Sequence, residues 1–410
     1  MDNFFTKYLS LSLLTTPALV LTIHQGVGIS AVLILCLSLI VLLYRYPIDM
    51  SLSKKEKILI SSIVILPVVI AFDVVLRDFR LRYLDFYLRF VLSLPIYFAL
   101  RELRLSVIPL VIGILMGAIS AGIFALYQKY YLNELHAHGE VLKIIFGNIS
   151  LLLGVMSLAG LFIIDDIRCK KTFYSVTLLA FILGITGSLL SGARGGWIAM
   201  PFFIGLFILY FPASQKLKIA SVIVLILGVF VTYKSNSYVE SRIDLTYKST
   251  EAYFSSDKLN VAKTSAGIRL ELWKATWMIV SEHPILGVGS GQFKQALQEK
   301  IDLGKVKKIE SYDHAHNEPL QILVTTGIVG FLAYLALYAG ITYYFYSSLM
   351  TSNITRVRYL SFLGIMLTGA YLHFGLTNYS FGHHVMILFF ALMVVVFAGM
   401  IKSIENELMG

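Results

Sequence analysis

The sequence predicts an all-α polytopic membrane protein with about 12 transmembrane helices. The chain has 410 residues, of which 57% are apolar and only 14% are charged. A soluble domain keeps roughly a quarter of its residues charged, so this composition excludes an ordinary soluble protein. A membrane-spanning helix needs about 20 mostly apolar residues, and the apolar runs between charges and helix breakers supply twelve such segments.

The predicted spans leave one long polar loop late in the chain. They lie at residues 7–23, 27–44, 58–76, 86–100, 106–128, 146–164, 173–191, 195–212, 218–233, 319–348, 359–378 and 382–401. We therefore expect transmembrane helices 1–9 in residues 1–233 and transmembrane helices 10–12 in residues 319–410. Residues 234–318 form the long loop, and they include at least one helical pattern.

The distribution of lysine and arginine predicts which side each loop faces. These residues collect in short cytoplasmic loops, whereas long loops cross the membrane largely regardless of charge. With a cytoplasmic N-terminus, the short loops on that side carry 15 of the 34 Lys and Arg residues, those on the opposite side carry 7, and the long loop carries 12. Both termini are therefore expected in the cytoplasm and the long loop outside. The net charge of +10 then reflects topology rather than a nucleic-acid partner.

A charged segment follows the third span. Two ion pairs are predicted on one helix face, since the partners are four residues apart: Asp78 with Arg82, and Asp85 with Arg89. The pairing favours an interfacial helix that neutralises its own charges. Arg77 and Arg80 have no obvious partner in the sequence, so a phosphate-binding role remains open for both.

Arg194 lies in a tight turn of small residues, 188–197, between two apolar helices. An arginine at membrane depth costs about 2.5–3.5 kcal/mol on insertion scales unless an anion or water receives it. One interpretation is that Arg194 extends to the lipid headgroups. We favour an anion-binding site, because the small neighbours leave the guanidinium group accessible.

The long loop contains an amphipathic helical pattern in which Trp273, Trp277 and Val280 recur at helical spacing. Arg269 is four residues before Trp273 and lies on the same stripe. A cation–π contact is one interpretation of that arginine, and anion binding is the other. The glycine-rich turn that follows, 283–293, has no preceding strand and no GK[ST] sequence, so turn geometry explains it better than a nucleotide site.

The most polar segment near the membrane is 311–320, directly before the tenth span. Asn317 is a natural helix N-cap, and His316 immediately precedes it. A histidine can take a proton near neutral pH, as activation of a hydroxyl nucleophile requires, and Asp313 and His314 are close enough to orient it. A metal site is the alternative. Its candidate ligands are Asp313, His314 and His316, with His383 and His384 as further candidates.

Three features, in this order, resemble the O-antigen ligase superfamily, a group of bacterial inner-membrane proteins. They are the Ser-Gly-Ala-Arg-Gly turn at Arg194, the helix of Arg269 running into the turn at 283–289, and the His316-Asn-Glu-Pro-Leu sequence that opens a span and is followed by 327–330. The superfamily also contains O-antigen polymerases and protein O-oligosaccharyltransferases.

This resemblance implies a GT-C-like, metal-independent, inverting glycosyltransferase that needs no cofactor. It would move a glycan from undecaprenyl diphosphate to a sugar hydroxyl of lipid A–core oligosaccharide, at the periplasmic face of the inner membrane. His316 would be catalytic, and Arg194 and Arg269 would bind the diphosphate. The possible supporting residues are Arg77, Arg80, Asp313, His314 and Asn317. The partners are these two lipid-linked substrates and membrane lipid, with no nucleic acid.

Other functions remain open. A polymerase or a protein O-oligosaccharyltransferase of the same superfamily differs mainly in its acceptor. A transporter of lipid-linked glycans is the non-enzymatic alternative, because intramembrane arginine and histidine also mark substrate paths. Transporters often contain inverted repeats, which this chain, with its one large loop placed late, does not suggest.

Overall fold

The computed structural model describes residues 2–47, 51–77, 81–216, 218, 264–310 and 312–408. Within these ranges the regular secondary structure is helical, which confirms the all-α prediction. The α-helices are α1 Asp2–Leu19, α2 Gly26–Tyr44, α3 Lys54–Leu76, α4 Arg82–Arg101, α5 Ile108–Tyr130, α6 Lys143–Ala159, α7 Lys170–Leu190, α8 Met200–Tyr210, α9 Ser265–Glu282, α10 Phe293–Asp302, α11 Glu318–Thr351, α12 Thr355–Gly375 and α13 His384–Glu407. Short 3-10 helices lie at Gly160–Asp166, Gly195–Ala199 and Ser380–Gly382.

The helices agree with the predicted spans wherever the chain is described. Eight helices in these ranges are long and apolar enough to cross a membrane, and Gly195–Tyr210 is a shorter apolar helix. α1 and α12 also form where spans were predicted, although they are not among the eight. The ninth predicted span, 218–233, lies outside the described residues except for residue 218. The chain is thus a multi-pass membrane protein.

The chain divides into two compact units. The first unit comprises residues 1–68, 84–203 and 335–410, and the second comprises residues 69–83 and 204–334. These boundaries describe compactness and do not test the predicted division at residues 233 and 318, which concerns the sides of the membrane. That division stays a prediction.

In the first unit, α5, α6 and α7 pack closely against one another, and α1 packs against α5. Small residues allow this approach, as is typical of membrane helices. A Cβ atom added at Gly154 of α6 would lie 3.1 Å from the Cα atom of Gly184 on α7, so the two backbones are in contact. The turn that carries Arg194 follows α7 directly, and its 3-10 helix Gly195–Ala199 contacts both α6 and α12. Arg194 is therefore presented by a closely packed part of the unit.

In the second unit, α9, α10 and the beginning of α11 surround one hydrophobic cluster. The cluster consists of Leu272, Ala275, Ile279, Val280, Phe293, Leu297, Val306, Ala315 and Val324. Thr264 caps α9, since its hydroxyl accepts a hydrogen bond from the Gly267 amide at 3.0 Å. The described part of the long loop, residues 264–310 and 312–318, therefore folds around a hydrophobic cluster that α11 completes.

The face that α9 buries differs from the predicted stripe. Trp277 was expected to pack inward, but it is 57% exposed, so this part of the prediction is wrong. The apolar side chains of α9 that are fully buried are Leu272, Ala275 and Ile279, which recur at i, i+3 and i+7 as a helix face requires. Trp273 packs at the edge of this cluster. The two tryptophans are four residues apart, yet only one of them has a structural partner in the core.

Candidate functional site

The regular hydrogen bonding of α11 is interrupted at Gly327, and the glycine-rich turn at 283–293 supplies replacement hydrogen bonds. Gly327 has φ 64° and ψ −162°, a conformation that is essentially restricted to glycine. Four backbone hydrogen bonds replace the helical ones: Val288 N to Val324 O at 2.9 Å, Gly289 N to Thr325 O at 2.8 Å, Ile328 N to Pro284 O at 2.9 Å, and Val329 N to Ile285 O at 3.4 Å. The turn at 283–293 therefore supplies the polar groups that the helix loses, and this use agrees with the structural role expected from the sequence.

A buried carboxylate fixes the same turn. Asp73 accepts hydrogen bonds from the Ser290 amide at 2.9 Å and the Ser290 hydroxyl at 2.8 Å. Arg77 forms an ion pair with Asp73 at 3.0 Å and donates to the carbonyl oxygens of Leu286 and Gly287 at 2.9 and 3.1 Å. The expectation that Arg77 lacks a partner is therefore wrong. Its guanidinium group fixes the turn that supplies the replacement hydrogen bonds to α11.

The rest of the charged segment is described in part. Arg89 forms the predicted ion pair with Asp85, at 3.0 Å. The guanidinium group of Arg82 lies over the ring of Tyr83, 5.3 Å from its centroid. Asp78 and Arg80 lie outside the described residues, so the other predicted ion pair and the role considered for Arg80 stay predictions.

The first turn of α11 has the predicted cap. The Asn317 side chain accepts a hydrogen bond from the Leu320 amide at 3.0 Å, and its backbone carbonyl accepts the first helical bond, from the Gln321 amide at 2.9 Å. Asn317 thus satisfies an amide that the helix itself cannot bond. The cap fixes where α11 begins and therefore fixes the position of His316, the residue directly before the cap.

His316 has a strained backbone that its neighbours hold in place. Its φ is 50°, in the left-handed region that few residues other than glycine adopt. The preceding residue, Ala315, donates its amide to Gln321 at 2.9 Å and accepts a hydrogen bond from the indole of Trp273 at 3.1 Å. The His316 amide donates to Nδ1 of His314 at 3.2 Å. Strain that is held this firmly is typical of functional sites.

Aromatic rings surround His316. The His314 ring lies edge-on to it with 4.3 Å between centroids, and the Tyr312 ring lies edge-on at 5.4 Å. Burial, with a smaller contribution from His316, lowers the pKa of His314 to about 4. His314 is therefore neutral near pH 7, and because its Nδ1 accepts a hydrogen bond, its proton lies on Nε2. It orients His316 as a neutral acceptor.

Asp313 has a partner other than the one expected. Its carboxylate is exposed and forms an ion pair with Lys294 of α10 at 3.2 Å. The alternative metal site also finds no support, because within the described ranges no group of three or more His, Cys, Asp or Glu residues is arranged to hold a metal ion. Of the predicted orienting residues, His314 is the one whose contact with His316 is established.

Arg269 belongs to the same unit as His316 and lies one helical turn before Trp273 on α9. It is half-buried, and burial lowers the pKa of its guanidinium group. Among the described residues it has neither an ion pair with a carboxylate nor a cation–π contact; the arginines that do lie over aromatic rings are Arg82 and Arg89. A partly dehydrated cation without a neutralising partner favours binding of an anion.

Arg194 belongs to the first unit. It precedes the 3-10 helix Gly195–Ala199, follows Gly192 with its φ of 69°, and is exposed. No carboxylate in the part of the chain that the structure describes pairs with it. The side chain is therefore available to a ligand, and its use together with Arg269 stays a prediction.

Two functional contacts were missed from the sequence alone. Asp73 is a lone acid in an otherwise apolar span, and such residues usually have a partner and a function; this was the available signal for its contact with Ser290. The hydrogen bond from Trp273 to Ala315 had no comparable signal, because the two residues are 42 positions apart.

Comparison with known proteins relates this chain to the O-antigen ligase family. The family model described as O-antigen ligase matches residues 179–335, a range that includes Arg194, Arg269 and His316. An uncharacterized protein of Haemophilus influenzae is 26% identical over 373 residues, which are 89% of this chain and 91% of that protein. The family match confirms the resemblance to the O-antigen ligase superfamily, in a chain whose apolar helices are those of a multi-pass membrane protein.

Proposed function

We propose that this protein is an O-antigen ligase of lipopolysaccharide biosynthesis. It transfers a glycan from undecaprenyl diphosphate to a sugar hydroxyl of lipid A–core oligosaccharide. The observation that carries the proposal is the conformation of His316, which is strained, fixed by Ala315 and His314, and located within the matched family domain. A histidine held in this way suits one defined hydroxyl acceptor.

The reaction is a single displacement. The acceptor hydroxyl oxygen attacks the anomeric carbon of the glycan, and His316 takes the hydroxyl proton. The bond between the anomeric carbon and the phosphate oxygen breaks, and undecaprenyl diphosphate leaves with the electron pair. Because one displacement exchanges the groups on opposite faces of the carbon, the anomeric configuration inverts.

Arg269 and Arg194 bind the diphosphate in this proposal. Negative charge grows on the diphosphate as it departs, so cations placed there stabilise the transition state more than the ground state. A guanidinium group fits phosphate oxygens with two parallel hydrogen bonds. The lowered pKa and missing carboxylate partner of Arg269 among the described residues support this assignment. The donor arrives already activated, so the proposal includes no metal and no cofactor.

The chemistry takes place at the periplasmic face of the inner membrane. The charge distribution of the short loops supports a cytoplasmic N-terminus and C-terminus, with residues 234–318 outside. His316 lies at the end of that segment and Arg269 within it. Lipid-linked glycan and lipid A–core would both reach the site from the outer leaflet of this membrane.

The test is deletion of the gene, followed by gel analysis of lipopolysaccharide. We expect bare lipid A–core together with accumulated undecaprenyl diphosphate-linked O-antigen, and a restored ladder when the gene returns on a plasmid. Core that carries a single repeat unit would instead identify a polymerase. An unchanged ladder would overturn both assignments and leave a protein acceptor or transport to be examined.

A further inference from the structure

The side chain of Asn148, on α6, is almost completely buried. It is 1% exposed, and neither its Oδ1 nor its Nδ2 atom has a partner among the described residues. Buried amides in folded proteins are nearly always hydrogen-bonded, so an exception needs an explanation. The cost is larger in a membrane protein, where water is scarce. Retention of an amide here therefore points to a ligand.

Asn148 lies directly beneath the turn of Arg194. A Cβ atom added at Gly196 would overlap Oδ1 of Asn148, and a Cβ atom added at Gly147 would lie 2.9 Å from the Cβ atom of Ala193. Ala193 and Gly196 lie on either side of Arg194 in the sequence. Ala193 is thus in contact with Gly147, and Gly196 is in contact with Asn148. All of these residues belong to the first unit.

A second amide lies in another segment that contacts the same turn. The hydroxyl of Thr377 is in contact with Gly195, since a Cβ atom there would overlap it. The next residue, Asn378, is 2% exposed, and its Nδ2 atom also has no hydrogen-bond partner in the described ranges. Two segments that pack against the Arg194 turn therefore each contribute a carboxamide with unused hydrogen-bonding capacity.

The chemistry of the carboxamide selects the kind of ligand. A phosphate group has only acceptors, so it would use Nδ2 and leave Oδ1 of Asn148 unpaired. A hydroxyl group both donates and accepts, so neighbouring sugar hydroxyls use both atoms. The sugar that is joined to the diphosphate is the one that lies closest to an arginine bound to that diphosphate.

We propose that Asn148, assisted by Asn378, binds hydroxyl groups of the sugar next to the diphosphate of the glycan donor. This site rests on the proposed function, because it assumes that Arg194 binds the diphosphate. Gly196 lies against the carboxamide of Asn148, so in this proposal the sugar reaches Asn148 when the turn shifts. The two glycines present no side chain to block that approach.

The experiment compares two lipids on the purified full-length protein. The probes are undecaprenyl diphosphate without a sugar and undecaprenyl diphosphate carrying one sugar, and the dissociation constant of each is measured. In Asn148→Leu we expect binding of the sugar-bearing lipid to weaken about tenfold, as loss of buried hydrogen bonds predicts, while binding of the sugar-free lipid stays unchanged. The unfolding temperature should not fall, because leucine has a similar volume and no unpaired amide.

Two further variants keep the test decisive. Ser361→Ala also removes a buried polar atom that has no hydrogen-bond partner among the described residues, on α12, and it should alter neither dissociation constant. Asn148→Ala repeats the measurement if leucine prevents folding. Equal effects on the two lipids, or no effect on the sugar-bearing one, would overturn this site. Failure of the proposed function is a different result: unsubstituted protein that does not bind the sugar-free lipid.

Discussion

Trp273 donates its indole N–H to the backbone carbonyl of Ala315 at 3.1 Å, and Ala315 is the residue directly before His316. α9 is thereby tied to the loop that presents the candidate base. Arg269 lies on the same helix, four residues earlier and on the same face. The same helix therefore carries the arginine that is proposed to bind the diphosphate and also fixes the position of His316.

This relationship predicts different effects for the two tryptophans of α9. Trp273→Phe keeps the ring and removes the donor, so kcat of glycan transfer should fall several-fold, in line with about 1 kcal/mol for one hydrogen bond. KM for the donor lipid should change little. Trp277→Phe is the control, because Trp277 is 57% exposed. A loss of the same size in both variants would argue against a positioning role for the indole.

The arginines are tested by substitutions that keep the charge. Arg194→Lys and Arg269→Lys should each lower kcat/KM by about 100-fold, since an ammonium group cannot reproduce the two parallel hydrogen bonds of a guanidinium group to a developing anion. Arg356→Lys should be nearly silent, because Arg356 forms an exposed ion pair with Asp166 at 2.8 Å, and such pairs contribute little. Equal tolerance at all three positions would contradict diphosphate binding.

The interruption of α11 predicts that alanine substitutions at two glycines have different effects on the stability of the protein. Gly327→Ala places a side chain at φ 64° and against the carbonyl of Ile285, so it should destabilise the protein by about 1–3 kcal/mol from backbone strain alone. Gly205→Ala, on α8, adds a Cβ atom that meets no described heavy atom within 4 Å. It should be neutral or stabilise the protein slightly. Unfolding temperatures in detergent measure both, and a Gly327 variant as stable as the Gly205 variant would contradict the break.

The pKa of His314 predicts how stability depends on pH. Its value of about 4 in the folded protein lies below the ordinary 6.5, so the unfolded chain binds a proton first as the pH falls. The contribution of neutral His314 is complete above about pH 6.5 and is lost progressively toward pH 4. His314→Asn keeps an acceptor for the His316 amide and cannot titrate. Unfolding temperatures between pH 4 and 7 should therefore vary less in this variant, and an unchanged slope would point to another group.

The sequence could predict much of this architecture, and the limits have physical causes. Long apolar runs specify helices by themselves, and the cap at Asn317 depends on neighbours in the chain, so both were predictable. The hydrogen bond from the Ser290 amide to the Asp73 carboxylate joins residues 217 positions apart, and no local pattern encodes it. The burial of Trp277 was mispredicted, because helical spacing shows which residues share a helix face but does not show which face meets the core. That the Asn148 amide has no hydrogen-bond partner among the described residues depends on the packing around it, so the sequence could not show it.

The strongest prediction concerns His316. His316→Ala should lower kcat by about 10² to 10⁴, the range for loss of a general base, while binding of undecaprenyl diphosphate persists, because the arginines carry that binding. His384→Ala should cost less: His384 is exposed, stacks on Phe86 with 4.4 Å between ring centroids, and contacts Arg89.

Chelation separates a base from a metal ligand at the same position. A histidine that only accepts a proton needs no Lewis acid, so transfer by the unsubstituted enzyme should survive treatment with EDTA. Complete loss of activity on chelation, restored by one added metal, would contradict the base and would require His316 to act as a ligand. Because the His316 backbone is fixed by Ala315, His314 and the Asn317 cap, the alanine variant should keep the unfolding temperature of the native protein. Its lost activity can then be assigned to the imidazole.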